Sequence, residues 1–505
     1  VSGRPRSASS PRSPGSSEVA FTSLPPKFGR KIFGMARLLL LLLVAVAMAC
    51  TRQAAAHERR RNAITHIKGF EGPLPFYMES GYVEVDGTHG GDLFYYFIQS
   101  ERSPMEDPLI LWISGGPGCS ALSGLLFEIG PLKFDVAGYT EGFPRLVYFE
   151  DSWTKVSNVI FVDAPMGTGF SYAREEQGLN VSLTGTGVQL RVFLEKWIAD
   201  HPEFASNPLY IGGDSYSGYT VPVTALEIAN HNDVNRASGG GLRLNLHGYL
   251  VGNPATDARY DEWGKVPFLH GMGLISDELY EAAQASCSGD DFVTPSNARC
   301  ANALQDIKQA TAFINPVHVL ERFCGAAVRG PAGGDSIIAK TARLLVQEHG
   351  LGLPVECRDN GYRMSYVWAD DPEVRKTLGI REGSIGAWSR CVSLTHGYRH
   401  DVESTIGYHA NLTRRGYRAL VYNGDHDLDF TFVGTQAWIR TLGYPVVAPW
   451  RPWFSNEQVA GYTTEYAYNL TYATVKGAGH TAPEYRPKEC LDMLRRWTTS
   501  PAGKL

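Results

Sequence analysis

Three short stretches of the chain carry side chains that could do chemistry together. GGDSYSG at 212–218 holds Ser215, YNGDHD at 422–427 offers Asp425 and Asp427, and VKGAGHTAPEYRP at 475–487 puts His480 in a glycine-rich turn. A serine two residues after Gly213 and followed by the small Ser217 and Gly218 fits G-x-S-x-G, with serine in place of the last glycine. Such a tight strand-to-helix turn exposes its serine at the apex. A serine hydroxyl is a weak nucleophile until a neighbouring imidazole takes its proton, and the imidazole needs a carboxylate to hold its tautomer. The chain order serine, acid, histidine is the order this turn predicts. Ser215 would attack a carbonyl, His480 would take and return the proton, and an acid of 422–427 would orient the ring. A histidine or aspartate in a loop is ordinary by itself; all three in this order form a catalytic expectation.

These residues need elements to position them, and each follows an apolar run. NPLYI leads into the serine turn, and VPVTALEIANH after it has the apolar spacing of a helix. DPLILWIS (107–114) ends in GGPG (115–118), NVIFVDAP (158–165) ends in MGTGFSY, and LHGYLVGNP and RALVYNGDHD repeat the design. Apolar runs alternating with helical stretches predict an α/β fold with a buried, mainly parallel sheet. In such sheets functional groups gather beyond the carboxyl ends of the strands, which is where these turns fall.

Composition limits the alternatives. A chain of 505 residues, 43% hydrophobic and 20% charged, reads as a large globular α/β enzyme with insertions. A net charge of -5 and a pI near 6.3 leave no electrostatic footprint for nucleic acid or an anionic membrane. Residues 1–34 are rich in Ser, Pro and Arg and predict a disordered or non-native leader ahead of the first methionine, Met35. MARLLLLLLVAVAMACTRQAAA (35–56) has the basic start, short apolar run and small-residue end of a secretory signal peptide rather than a stable membrane span. Beyond it stand seven cysteines without metal-binding spacing, so disulfides are expected, with one cysteine left over. Sequons at Asn180, Asn411 and Asn469 fit the same secretory route.

LWISGGPGCSALSG, FVDAPMGTGFSY, WIADHPEFASNPLYIGGDSYSGYTVP, GYLVGNP, NGDHD and GAGHTAPEYRP together resemble the serine carboxypeptidases and their plant serine carboxypeptidase-like relatives over roughly residues 62–500. The resemblance implies an α/β-hydrolase fold: a mostly parallel central sheet with helices on both faces and an inserted cap. The core would be 57–255 and 386–505, the cap 256–385. It implies a triad of Ser215, Asp427 and His480, with Asp425 supporting, and oxyanion donors from the backbone of Gly116 and Tyr216. It pairs Cys119 with Cys391, Cys287 with Cys300 and Cys324 with Cys357, leaving Cys490 free. Some relatives excise a cap segment to give a disulfide-linked two-chain form, and the Gly/Ala-rich 325–340 is the candidate here. No metal or organic cofactor is implied.

The family holds more than one chemistry. Peptidases of this kind bind a free carboxylate with Asn in a W-x-N-G-G-P-G turn and Glu before the nucleophile, whereas this chain has Ser114 ahead of Gly115, and Asp214, while keeping Glu128 as the second acid. A shorter acid and a lost amide donor would misplace a carboxylate by about 1 Å, enough to impair such a site. The spellings GGDSYSG and YNGDHD resemble the plant acyltransferase branch, which takes acyl groups from glucose esters and passes them to an alcohol or amine. Ser114, Gly115, Glu128 and Asp214 would then bind donor or acceptor. A carboxypeptidase is the alternative, and a hydroxynitrile lyase and an idle binding protein are minor ones. The resemblance implies an extracellular or vacuolar destination. The aromatic segments WRPWF (450–454) and TTEYAYNLTYATV (463–475) are expected to be strands packed in the core.

Overall fold

The computed structural model describes residues 62–139, 142–323, 357–394, 397–499 and 505. The leader, the signal segment and the candidate excised loop 325–340 lie outside the described residues. Fourteen strands are present among those described: β1 Asn62–Ile64, β2 Met78–Asp86, β3 Gly91–Ile98, β4 Leu109–Ile113, β5 Leu132–Phe134, β6 Leu146–Tyr148, β7 Asn158–Val162, β8 Tyr172–Ala173, β9 Leu209–Asp214, β10 Leu246–Gly252, β11 Arg418–Gly424, β12 Val446–Ser455, β13 Gln458–Tyr466 and β14 Leu470–Val475. Twelve form one sheet in the order β1-β2-β3-β7-β4-β9-β10-β11-β14-β13-β12, with β8 on β3; β5 and β6 pair separately. The six from β7 to β14 run parallel, and the flanking strands are antiparallel.

Every residue of β4, β7, β9 and β14 is buried. Successive side chains of a strand point to opposite faces, so a strand covered on both sides is apolar along most of its length. Ile110 and Trp112 enter one layer with Phe161 and Trp497, while Leu109, Leu111 and Ile113 enter the other with Phe193 and Trp197. Helices Asp359–Ala369 and Pro487–Thr499 cover the first layer; Leu183–Asp200, Ser217–Ser238, Ile406–Arg414 and Phe432–Thr441 cover the second. This is the α/β-hydrolase fold.

Between β10 and β11 the chain leaves the sheet. Helices Ala258–Gly271, Asp277–Ser286 and Ala298–Ala310 share a small core around Val266, Phe268, Leu269 and Ile307 that also takes in Leu428 from the turn after β11, and the Cys287–Cys300 disulfide staples the latter two helices together. The first of them crosses the helix Phe432–Thr441 so closely that a Cβ on Gly264 would lie 2.5 Å from the Gly434 nitrogen. A second disulfide, Cys119–Cys391, ties the turn after β4 to the chain returning from the insertion. Cys357 is disulfide-bonded, its expected partner Cys324 lies outside the described residues, and Cys490 is free and buried. The aromatic C-terminal segments are strands, but they fill the core only in alternation. Trp453 and Tyr472 are buried, whereas Trp450, Phe454 and Tyr462 of the β12–β13 hairpin face outward, because β12 is an edge strand covered on one face. Asn180, Asn411 and Asn469 are exposed. Among the described residues no helix is long and apolar enough to cross a membrane.

Candidate active site

Ser215 stands between the end of β9 and the helix Ser217–Ser238, with a φ of 57° that non-glycine residues seldom adopt. Its backbone is fully bonded: the N–H donates to the Gly252 carbonyl at 2.9 Å, and the carbonyl accepts from Gly218 and Ala255. Those bonds hold the strained turn in place. The turn also depends on a missing side chain, since a Cβ on Gly213 would lie 2.3 Å from the Ile113 carbonyl oxygen and 2.6 Å from the Ser217 Cβ. Ser217 therefore occupies the last glycine position at no cost, and its hydroxyl donates to Ile113 O at 2.8 Å. Gly213→Ala should destabilise the fold by about 1–3 kcal/mol or more through overpacking, measured as a lowered midpoint in urea unfolding.

A helix leaves its first N–H groups without intrahelical partners. The Tyr216 N–H is in that position, and neither it nor the Gly116 N–H donates to another described group. Pro222 lies within the same helix and cannot donate to the Gly218 carbonyl; that oxygen accepts from the Thr405 hydroxyl instead, at 3.0 Å.

The acid and the histidine come from the turns after β11 and β14, two adjacent parallel strands. His480 Nδ1 lies 2.9 Å from Asp427 Oδ2. Asp427 is fully buried, and it also accepts from Asn253 Nδ2 at 2.9 Å and from the N–H groups of Asp429 and Phe430 at 2.9 and 3.2 Å. Burial works against the imidazolium of His480, yet the adjacent Asp427 carboxylate outweighs it and the ring is pushed up to about 9. Asp425 does not face His480; it accepts from the Gly477 N–H at 2.7 Å and pairs with His426 Nδ1 at 2.5 Å, tying the two turns together. Phe430 stacks along the His480 ring, with centroids 5.6 Å apart. The Ser215 hydroxyl forms no hydrogen bond with a described residue. The glycine turn meets it closely, so that a Cβ on Gly115 would sit 3.0 Å from Ser215 Oγ.

Flanking the serine are buried polar groups with unmet bonding capacity. Among the described residues Ser114 Oγ and Asp214 Oδ2 have no partner, and each residue is at most 5% exposed. Among the same residues Glu128 accepts only from the Trp112 indole N–H, at 3.1 Å. Burial, then the neighbouring Asp214 and Glu484 carboxylates, push Glu128 well above the usual carboxylate range. Burial also pushes Asp214 up to about 6, against the opposing charge of His480. Both groups hold protons in the folded chain that an unfolded chain releases near pH ~4. For Asp214 the stabilising contribution is therefore complete below pH ~4 and is lost as the pH rises through about 6, and Glu128, raised in the same direction, has the same sign. The melting temperature should fall across that window, and it should fall less in Asp214→Asn, with a difference on the order of 1 kcal/mol per pH unit.

The serine carboxypeptidase family model matches residues 69–500. The chain belongs to the serine carboxypeptidase family. It is similar to serine carboxypeptidase-like 4 of Arabidopsis thaliana, 42% identical over 469 residues that make up 92% of this chain and 98% of that protein. Serine carboxypeptidase-like 19 of the same plant is 44% identical, covering 86% of this chain and 93% of that one. Among solved structures, a prohormone-processing carboxypeptidase of Saccharomyces cerevisiae, Kex1(delta)p, aligns with a TM-score of 0.65 at 22% identity, covering 83% of this chain and 90% of that one, a likeness of fold.

In this serine carboxypeptidase family member the structure adds residues that sequence reasoning passed over. Asn253, with a φ of 41°, holds Asp427 with its amide and accepts the Gly424 N–H through its oxygen at 3.0 Å. Its signal was its place, directly after the apolar run of β10. A thread of the insertion, Asn315–Val319, runs between the acid and histidine turns. Val317 O accepts the His480 N–H at 2.7 Å, Pro316 O accepts from Leu428, and Val319 donates to the His426 carbonyl. His318 stacks on His426 and Tyr485, and Gly479 has no room for a Cβ against it. Nothing in NPVHV announces this, since the bonds to the turns are made by backbone.

Proposed function

We propose that Ser215, His480 and Asp427 are a catalytic triad working through an acyl-enzyme, and that the protein transfers acyl groups from glucose esters to an alcohol or amine. The observation that carries the transferase reading is the pair of buried atoms without a partner among the described residues, Asp214 Oδ2, directly before the nucleophile in sequence, and Ser114 Oγ, directly before the Gly115 that meets it in space. A buried polar atom without a partner costs free energy that a ligand can return. A hydroxyl can donate to a carboxylate oxygen and accept from a serine hydroxyl, so a sugar or alcohol satisfies both. The relatives at 42–44% identity, named carboxypeptidase-like, support the family chemistry.

In the first half-reaction Ser215 Oγ attacks the ester carbonyl, and its proton passes to His480 Nε2. The oxyanion draws on the N–H groups of Gly116 and Tyr216. The glucose oxygen leaves with the proton from His480. In the second, His480 takes the acceptor's proton, the acceptor oxygen or nitrogen attacks the acyl-serine, and the proton returns to Ser215. Asp427 holds the ring and offsets its charge throughout. Glu128, Asp214, Ser114 and Gly115 orient the donor or acceptor. The Cys119–Cys391 and Cys287–Cys300 disulfides and the bonded Cys357 support passage through an oxidising compartment.

The second reading is a carboxypeptidase. Acids that hold protons, as Asp214 and Glu128 do, can hydrogen-bond a peptide carboxylate at acid pH. Mass spectrometry of the protein after incubation with a panel of glucose esters and, separately, a blocked dipeptide tests both. A Ser215-linked acyl adduct that disappears on adding an alcohol supports transfer. Release of the terminal amino acid at acid pH, with no adduct from any ester, overturns it.

A further inference from the structure

The acid pair beside the nucleophile is accompanied by a third buried carboxylate. The short helix Ala482–Tyr485 follows His480 directly and packs against the turn Gly124–Glu128. Glu484 on that helix is 8% exposed at its side chain. Every partner it has among the described residues is a donor: the Tyr362 hydroxyl at 2.8 and 3.0 Å, the Thr481 hydroxyl at 2.8 Å, and the Arg358 guanidinium at 3.7 Å. That is the bonding pattern of a carboxylate carrying its charge.

The charge is incompletely balanced. Arg358 is already held bidentately by Glu321, at 2.7–2.9 Å, and lies over the Tyr485 ring. Arg390 sits over the Tyr362 ring at 4.3 Å, and Lys133 is bound to the Phe127 carbonyl. No described cation forms an ion pair with Glu128 or Asp214; His480, the opposing charge on Asp214, is paired with Asp427, and Arg390 acts on Glu128 only from a distance. Tyr362 joins these groups mechanically, with its hydroxyl on Glu484 and its ring edge-on to Phe127 at 4.9 Å, next to Glu128.

We infer that Glu484 is a specificity-determining residue: its buried negative charge behind Glu128 and Asp214 makes the pocket beside Ser215 favour a neutral hydroxylated group over a carboxylate. A ligand carboxylate at Asp214 and Ser114 would add another like charge in a low-dielectric site, where repulsion is poorly screened. A sugar or alcohol hydroxyl meets no such opposition. The inference rests on reading Ser114, Glu128 and Asp214 as substrate-binding, and it deepens the transferase proposal by giving the chain a reason to reject a peptide terminus.

The test is competitive inhibition of Ser215 acylation by p-nitrophenyl acetate at pH ~7, using N-acetylphenylalanine and its neutral amide, which differ in one charge. Glu484→Gln should tighten the acid by about tenfold and move the amide less than about twofold. Glu484→Asp and Tyr362→Phe keep the charge and should keep the wild-type preference. Arg358→Met removes the partial counter-charge and should weaken the acid further, a result available even if Glu484→Gln does not fold. Equal shifts for acid and amide, or none, would overturn the inference. An acid-selective shift in a protein that no glucose ester acylates would sink the donor assignment while leaving the role of Glu484 intact.

Discussion

Ser215→Ala leaves the fold unchanged and removes acyl-enzyme formation, with residual turnover about 10⁶-fold below the native rate. Both halves of that expectation come from the geometry. The hydroxyl bonds to no described group, so its loss orphans nothing. The bonds that hold the turn come from the backbone of Ser215 and survive in alanine. Alanine meets the same backbone cost as serine at a φ of 57°, so the melting temperature should stay within about 2 °C. Acyl adducts by mass spectrometry and thermal unfolding measure the two halves. A variant that unfolds would mean that the hydroxyl supports the turn; one that still acylates would place the nucleophile elsewhere.

Asp427→Asn should lower the acylation rate by about 10⁴-fold while Ser215 remains in place. Each neighbour of Asp427 other than His480 is a donor: Asn253 Nδ2 and the N–H groups of Asp429 and Phe430. An asparagine must turn its amide nitrogen toward a donor in either orientation, which costs about 1–3 kcal/mol. If that nitrogen faces His480, the ring is forced into the tautomer with its proton on Nε2, where it can no longer accept one from serine. Burial of the ring is then opposed only by the weaker pull of the Asp429 and Asp214 charges, and the imidazole drops from about 9 toward its ordinary value, which a proton NMR titration reads directly. The sign for stability follows. A histidine raised in the folded state contributes fully below its unfolded value near ~6.5 and loses that contribution as the pH passes about 9. The stability gap between native protein and variant should therefore narrow at alkaline pH.

The parts of this architecture legible in the sequence share a physical cause. β4, β7 and β9 are buried on both faces, so they read as unbroken apolar runs. Ser215, Asp427 and His480 fall in the turns that end such runs. Asn253 was equally well placed in sequence, but an amide holding a carboxylate has no motif of its own. Glu484 stood in plain view four residues after His480, yet its meaning depends on Tyr362 and Arg358, more than a hundred residues away in sequence, which only folding brings to it. The outward Trp450 and Phe454 were misjudged because aromatic composition does not tell which face of an edge strand is covered.

The thread at Asn315–Val319 changes what the insertion is. Its backbone is a third wall between two turns that adjacent strands deliver, and the His480 N–H ends on it. The helices at 258–310 and the thread thus do different work: the helices pack on Leu428 and the helix Phe432–Thr441, so a replacement must keep that contact, whereas the thread bonds the two turns themselves through its backbone. A graft whose boundary cuts through the thread would keep the sheet, the strands and all three side chains, and still lose the spacing between two of them. Modular exchange in this molecule has its seam inside the insertion, not at its ends.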